Sequence, residues 1–323
     1  MINISKVDEV YIRIDTDDGI ARNLYDYFTF EVPGAKFMPA VRKKIWDGKI
    51  KLYNLKNHTI YLGLLIPLLK WARTHEIQVS LDAELMDHHD ISLVDVTAFA
   101  KEINPTSQGQ AIEVRDYQLD AITHAIKFNR ALLLSPTASG KSLIIYLLAR
   151  FYNKERVLII VPTVSLVNQM YSDFEDYGFD SSLACHKVMA GQEKTTDKRI
   201  TISTWQSIYK QPKSFFDDFG VVFGDEAHLF QAKALTSIMT KLTGCRYRFG
   251  LTGSLDSSLC NKLILEGLFG GLKKITTTKA LIDKKHLSQF NIKCIVLLHN
   301  KPNGKKFNYQ EEMDYLVTNI ERN

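Results

Sequence analysis

The hydrophobic pattern divides the chain into two unlike halves. In the second half, short apolar runs recur without alternation: Ala131 to Leu134, Val157 to Val161, Ile200 to Ser203, Val221 to Phe223 and Tyr247 to Leu251. Such runs predict strands buried on both faces, as a parallel sheet requires. Stretches of helical spacing separate or precede them: Arg115 to Ile126, the apolar run after Lys141, Ser165 to Tyr177 and Ala232 to Leu242. Repeated strand-then-helix units predict an α/β fold with helices on both faces of a parallel sheet, and ligands held beyond the strand C-termini.

The first half reads differently. Glu9 to Asp15 alternates apolar and polar residues, predicting a half-buried strand. Asp18 is expected to cap a helix running to about Phe30, through Ile20, Leu24, Tyr25 and Phe28. Leu64 to His75 predicts a second helix, with Pro67 confined to its first turn. Gln78 to Leu81 suggests a strand and Ser92 to Ile103 a helix, which together make a small α+β module. Asn104 to Gln110 is polar and turn-rich without periodicity, and reads as a linker. The expected organisation is a module over 1–103, a linker over 104–111, a nucleotide-binding domain over 112–285, and the start of a further domain over 286–323.

Composition narrows this only slightly. With 323 residues, 45% hydrophobic and 24% charged, the chain is long enough for roughly two or three domains with real cores. No apolar run is long enough to span a bilayer, and Asp8 and Glu9 come too early for a signal peptide. Cys185, Cys245, Cys260 and Cys294 are scattered without a Cys-x-x-Cys pair, which argues against a zinc site or disulfide framework and fits a reducing, cytoplasmic compartment. A net charge of +5 permits a polyanionic partner without demanding one.

Charge matters more where it is concentrated. Lys36 to Lys56 is strongly basic, carries Asp47 as its single acid, and interleaves Phe37, Trp46 and Tyr53. Asp47 and Gly48 form a tight-turn dipeptide, predicting a hairpin that presents Arg42, Lys43, Lys44, Lys49 and Lys51 to phosphates, with Trp46 stacking on a base. The alternative is a solvated face with Trp46 in the core.

The candidate chemistry lies at the strand ends. After the strand Leu132 to Leu134 comes Ser135-Pro-Thr-Ala-Ser-Gly-Lys-Ser142, then a helix. Strand, small-residue loop, Gly-Lys-Ser and helix is the setting of a phosphate loop, although Ser135 stands where the general pattern has glycine. Backbone N–H groups of Thr137, Ala138, Ser139 and Gly140 and the helix N-terminus would face ATP phosphates. Lys141 would reach the β and γ phosphates, and Ser142 would bind Mg²⁺. The bland reading is a chance helix cap with Lys141 in solvent. A second cluster, Asp225-Glu-Ala-His228, ends the run Val221 to Phe223. An acid ending a buried strand is costly unless it meets positive charge, which suits Asp225 to Mg²⁺ and Glu226 to polarising a water. An ordinary polar turn is the alternative.

Taken together, Gln118, the loop 135–142, Pro162-Thr163 with Gln169, Ser203-Thr-Trp-Gln-Ser207, Asp225-Glu-Ala-His228 and Leu251-Thr-Gly-Ser254 stand in the order found in superfamily 2 helicases. The resemblance covers about Ile112 to Gly271 and implies a RecA-like first motor domain. It implies that Gln118 reads adenine, that His228, Thr252 and Ser254 couple hydrolysis to strand movement, and that Pro162, Thr163, Thr204 and Trp205 lie along the nucleic-acid track. Trp205 equally suits a core position. The chain more closely resembles the phage UvsW-type recombination helicases, on Trp46-Asp-Gly-Lys49, the Pro-Thr-x-x-Gly-Lys-Ser loop, Ser203-Thr-Trp-Gln206 and the tail Tyr309 to Val317. That implies remodelling of branched DNA, including Holliday junctions, D-loops and R-loops, in the host cytoplasm. Such helicases carry a second motor domain whose arginines complete the ATP site, and no Gln-x-x-Gly-Arg-x-x-Arg motif occurs here. An arginine finger is worth roughly 10³–10⁵ in rate, so the chain is expected to be part of a longer or split enzyme and to hydrolyse ATP poorly alone. The rival expectations are a translocase subunit of a restriction or remodelling complex, and an inactive DNA-binding fragment.

Overall fold

The structure is a computed structural model that describes residues 1–255, 259–289, 293–294 and 307–319. Its centre is a seven-stranded parallel sheet. From edge to edge the strands are Cys185–Val188, Ile200–Thr204, Arg156–Val161, Phe219–Asp225, Tyr247–Thr252, Arg130–Leu134 and Leu272–Lys274. Every neighbouring pair is parallel. The five apolar runs of the sequence are the five inner strands, and their side chains are almost wholly buried on both faces. The two outer strands were not foreseen.

The N-terminal module has a four-stranded sheet ordered Thr59–Tyr61, Tyr11–Asp15, Ile2–Lys6 and Val79–Leu81. Ile2–Lys6 pairs antiparallel with Tyr11–Asp15 and parallel with Val79–Leu81. The helix Leu65–Thr74 lies against it, burying Leu68, Trp71 and Ala72. The first helix is Asp18–Tyr27, and its cap is Asp17 in place of the expected Asp18, with the Asp17 carboxylate accepting from Ile20 N at 2.9 Å. This helix stops three residues early because Thr29–Glu31 is recruited as a strand by Lys49–Lys51.

That pairing also corrects the basic stretch. Lys49–Lys51 pairs with Thr29–Glu31, so Asp47 and Gly48 do not turn a hairpin within the basic run. Pro39–Arg42 is one short helical turn, with proline where its missing N–H costs nothing.

The module and the motor are not separated by solvent. One continuous apolar cluster joins Ile4, Ile12 and Leu68 of the module to Leu158, Phe230 and Phe269 on one face of the large sheet. At the contact, a Cβ on Gly63 would meet the carbonyl oxygens of Glu266 and Gly267, and one on Gly267 would lie 2.9 Å from the Tyr61 ring. The backbones touch here because neither residue has a side chain. Beside this contact Arg130, buried at the start of its strand, donates to Glu9 O at 2.6 Å and to the Glu9 carboxylate at 2.7 Å. Glu9 N donates to Thr243 O at 3.0 Å.

The segment 104–111 forms the small ladder Thr106–Ser107 with Gln110–Ala111. Its Thr106 and Ser107 hydroxyls donate to Asp176, at the end of the helix Val164–Asp176. The helix Leu93–Ile103, capped by Ser92 and Asp95, packs towards the motor: Val96 belongs to the core on the other face of the large sheet, and Phe99 meets Phe151 edge-on at 5.5 Å. Arg248 is fully buried and forms no ion pair among the described residues. Its guanidinium donates to Cys245 O at 3.0 Å, Met239 O at 3.1 Å and Leu242 O, closing off the C-terminal end of the helix Lys233–Lys241. Burial lowers its pKa to about 10, so it stays charged at neutral pH.

Residues 1–281 form one compact unit and 282–323 a second. In the second, Tyr309–Thr318 is a helix started by Asn308, which exchanges bonds with Glu311. No helix among the described residues is long and apolar enough to cross a membrane.

Candidate active site

The strand Arg130–Leu134 delivers the chain to the C-terminal edge of the sheet, where the loop 135–140 turns it into the helix Lys141–Phe151. Ala138 and Gly140 both take left-handed backbone conformations, with φ of +62° and +79°. Successive N–H groups in such a loop point to one side and make an anion-binding concavity. The Ser135 and Ser139 hydroxyls are bonded to each other, and Ser139 also donates to Pro136 O at 2.7 Å. Both are fully buried, so Ser135 braces the loop from within where the general motif has glycine.

Gln118 closes the loop from behind. It is buried, accepts from Arg115 N at 2.9 Å, and donates through Nε2 to Ser139 O at 2.8 Å. Tyr117 OH donates to the same oxygen at 3.1 Å. A Cβ on Gly140 would run into Gln118 Nε2, so the glycine is needed for space as well as for φ.

Four predicted residues converge in one chain of contacts. Lys141 Nζ lies 3.4 Å from Glu226 Oε1, and Glu226 Oε2 lies 3.4 Å from His228 Nδ1. His228 Nδ1 is 2.9 Å from Thr252 Oγ1, which donates to Ser254 O at 2.8 Å. A hydroxyl has a single proton, so Thr252 must accept from His228, which places a proton on Nδ1. Glu226 can serve both neighbours because its backbone turns left-handed, at φ +49°, just after the strand Phe219–Asp225. Gly253 completes the enclosure: a Cβ there would lie 3.7 Å from Lys141 Nζ.

Asp225, beside Glu226, is buried, and its Oδ1 has no hydrogen-bond partner among the described residues. Burial, and secondarily the Glu226 carboxylate, raise its pKa above the ordinary range, against the opposing pull of Lys141. A buried, partly unsatisfied carboxylate at the mouth of a phosphate loop fits a cation. No group of three or more His, Cys, Asp or Glu suited to a metal exists among the described residues, so such a cation would take its remaining ligands from water and phosphate. The raised pKa also makes a stability statement. The folded state favours protonated Asp225, so the folding penalty is absent below its unfolded pKa and complete above its folded pKa. Asp225→Asn is therefore expected to stabilise the ligand-free protein at neutral pH by about 0.5–2 kcal/mol, with the gain vanishing in acid. Melting curves of both proteins across pH check this.

Ser142 Oγ is 2.8 Å from Tyr177 OH, and nearby Asp173 has its pKa raised by burial, against the opposing pull of Ser142. Tyr117, Tyr177 and Asp173 went unnoticed in the sequence. They sit at no recognisable motif spacing, and only tertiary packing brings them to the loop.

The expected track residues stand at the ends of two neighbouring strands, Val161 pairing with Thr204, but in different surroundings. Thr163 caps the helix Val164–Asp176, accepting from Leu166 N at 3.3 Å, and Pro162 before it is half-buried. Thr204 is buried and bonded to the Ser207 hydroxyl at 2.9 Å. Trp205 is half-buried, packs against the apolar cluster and meets Tyr209 edge-on. In the basic stretch Trp46 is half-buried, and its indole N–H donates to Lys49 O at 3.0 Å. Lys49 and Lys51 pair with Glu31 and Asp47, at 3.8 and 2.6 Å. Arg42, Lys43 and Lys44 are exposed.

Comparison with known proteins gives this geometry a setting. Residues 1–82 match the family described as DNA helicase UvsW, N-terminal, and residues 111–257 match the type III restriction enzyme res subunit. The ATP-dependent DNA helicase uvsW of Enterobacteria phage T4 is 34% identical over 325 residues, covering 97% of this chain; the chain spans 64% of that relative's length. The DNA 3'-5' translocase XPB2 of Sulfurisphaera tokodaii is 31% identical over 197 residues, 61% of this chain and 43% of that protein. A crystal structure of the UvsW helicase from bacteriophage T4 superposes with a TM-score of 0.78 at 33% identity, over 84% of this chain and 99% of the solved one. The large sheet with its loop is thus the RecA-like fold of superfamily 2, and the chain belongs to the UvsW helicase family.

Proposed function

We propose that the chain forms the N-terminal module and first motor domain of an ATP-dependent DNA helicase that remodels branched DNA, such as Holliday junctions, D-loops and R-loops, during recombination, replication and repair in the host cytoplasm. The observation that carries this is the contact chain Lys141–Glu226–His228–Thr252 beside the unpartnered Asp225 oxygen. It links the phosphate loop to Thr252 and Ser254, so a change at the nucleotide is felt at the next strand end. In this reading residues 1–103 form the DNA-binding module, 112–285 the motor, and 286–323 lead into a second motor domain.

Thr137 to Gly140 would cradle the phosphates, Lys141 would neutralise the β and γ groups, and Gln118 would hold the loop and read adenine. Ser142 and Asp225 would hold Mg²⁺, Ser142 by releasing Tyr177. Positive charge supplied by such an ion would offset that of the phosphates. Glu226 would accept the proton of the attacking water, held in place by Lys141 and His228. DNA would lie along Pro162, Thr163, Thr204 and Trp205, with the module adding Arg42, Lys43, Lys44, Trp46, Lys49 and Lys51.

Titration calorimetry tests the nucleotide site. Mg²⁺·ATP should bind the wild-type chain, and Lys141→Ala should weaken binding by about tenfold or more, since a charge-assisted bond to phosphate is worth at least about 1.5 kcal/mol. Equal affinities would overturn the assignment. The matches to the res subunit family and to a DNA translocase favour one second reading, movement along duplex DNA without strand separation. A strand-displacement assay run beside a triplex-displacement assay separates the two.

A further inference from the structure

A groove of about 810 Å³ runs between the N-terminal module and the motor, away from the phosphate loop. Two regular elements build its walls. On one side, Tyr11 and Arg13 project from the outer face of the strand Tyr11–Asp15, opposite Tyr61 and Thr59 of the edge strand. The alternation that buries Ile12 and Ile14 forces those four residues outward. On the other side, Lys233, Thr236, Ser237 and Thr240 share one face of the helix Lys233–Lys241, at the spacing i, i+3, i+4, i+7.

Among the described residues the lining contains no aspartate or glutamate, but three cations, Arg13, Lys51 and Lys233. Arg13 and Lys233 are exposed and form no ion pair among the described residues, whereas Lys51 holds Asp47 at the rim. Hydroxyls and the side-chain amides of Asn57 and Gln231 fill the space between the cations. Tyr11 and Tyr61 stack on each other, with ring centroids 5.3 Å apart. Unpaired cations, neutral donors and an aromatic platform together match a sugar–phosphate strand with exposed bases. An acidic protein surface would supply negative charge but no use for the platform.

We propose that this groove holds one single strand of nucleic acid, its phosphates against Arg13 and Lys233 and a base against the Tyr11–Tyr61 pair. The proposal rests on the helicase reading and adds to it a second strand site, outside the track at the strand ends. The location has a mechanical meaning: Gln231, in the groove, ends the turn Ala227–Gln231 that carries His228. A strand seated here touches the same short element that contacts Glu226.

The test uses the whole chain and a fluorescent poly-dT oligonucleotide, titrated at several salt concentrations. Each phosphate contact contributes about 0.7 to the slope of log K against log salt for single strands. Arg13→Ala with Lys233→Ala should therefore flatten the slope by about 1.4, and Thr236→Glu, introducing negative charge on the wall that carries Lys233, should weaken binding by about tenfold or more. All three positions are at least partly exposed, and unchanged melting temperatures with unchanged Mg²⁺·ATP affinity would confirm that only the groove was altered. If the wild type binds with a steep slope that the double variant keeps, the groove is not a strand site while the helicase reading stands. If the wild type binds no DNA at all, both fall. If the slope changes only with duplex DNA, a single-strand occupant is overturned.

Discussion

Replacing Glu9 with alanine should cost about 3–5 kcal/mol of stability, the toll usual when one partner of a buried ion pair is removed. Arg130 is 8% exposed, and its guanidinium meets the carboxylate at 2.7 Å. Its Nη1 is already buried without a hydrogen-bond partner among the described residues, so the variant would leave the guanidinium only its bond to the backbone carbonyl of residue 9. Burial alone would raise the Glu9 pKa, but Arg130 and Lys6 outweigh it and hold the carboxyl below its ordinary value. A lowered folded-state pKa contributes stability above the unfolded value of 4.5, and that contribution is lost as pH falls through the folded value. The gap between wild type and variant should thus be full at pH 7 and shrink in acid. Urea unfolding at several pH values measures it; a midpoint at pH 7 unmoved by Glu9→Ala would mean that the pair does not hold the contact.

Glu226→Gln should slow ATP cleavage by about 10²–10⁴-fold, the usual contribution of a positioned general base. Glutamine has nearly the same shape and keeps one oxygen to accept from Lys141 or His228, so Mg²⁺·ATP affinity should change far less than the cleavage rate. The cleanest reading is single-turnover phosphate release with protein in excess over labelled ATP, which registers even a slow chemical step. Cleavage at the wild-type rate would place the base elsewhere.

The inner strands and the phosphate loop were legible because both rest on local signals. Runs such as Val157 to Val161 have no polar residue to spare, and Gly140-Lys141-Ser142 follows its strand directly. The edge strands were not: in Cys185–Val188 and Leu272–Lys274, half-exposed lysines break the apolar run, so no pattern sets them apart from loop. Thr29–Glu31 was read as helix because its pairing with Lys49–Lys51 is set by a contact some twenty residues away. Tyr177 and Asp173 around Ser142, and Tyr117 behind the loop, belong to the same class, since helix periodicity marks which face is buried but not against what. The likeness to helicases carried Thr252 and His228 to the site; their mutual bond at 2.9 Å is a tertiary fact.

The close approach of Gly63 to Glu266 and Gly267 bears on what happens when the chain is cut. The segment 104–111 joins module to motor in sequence, yet cohesion resides elsewhere: in the glycine contact, the Glu9–Arg130 pair and the apolar cluster shared by both bodies. A protease that nicks this segment would sever the polypeptide without releasing either piece. The two fragments would run apart on a denaturing gel and elute as a single species from a sizing column.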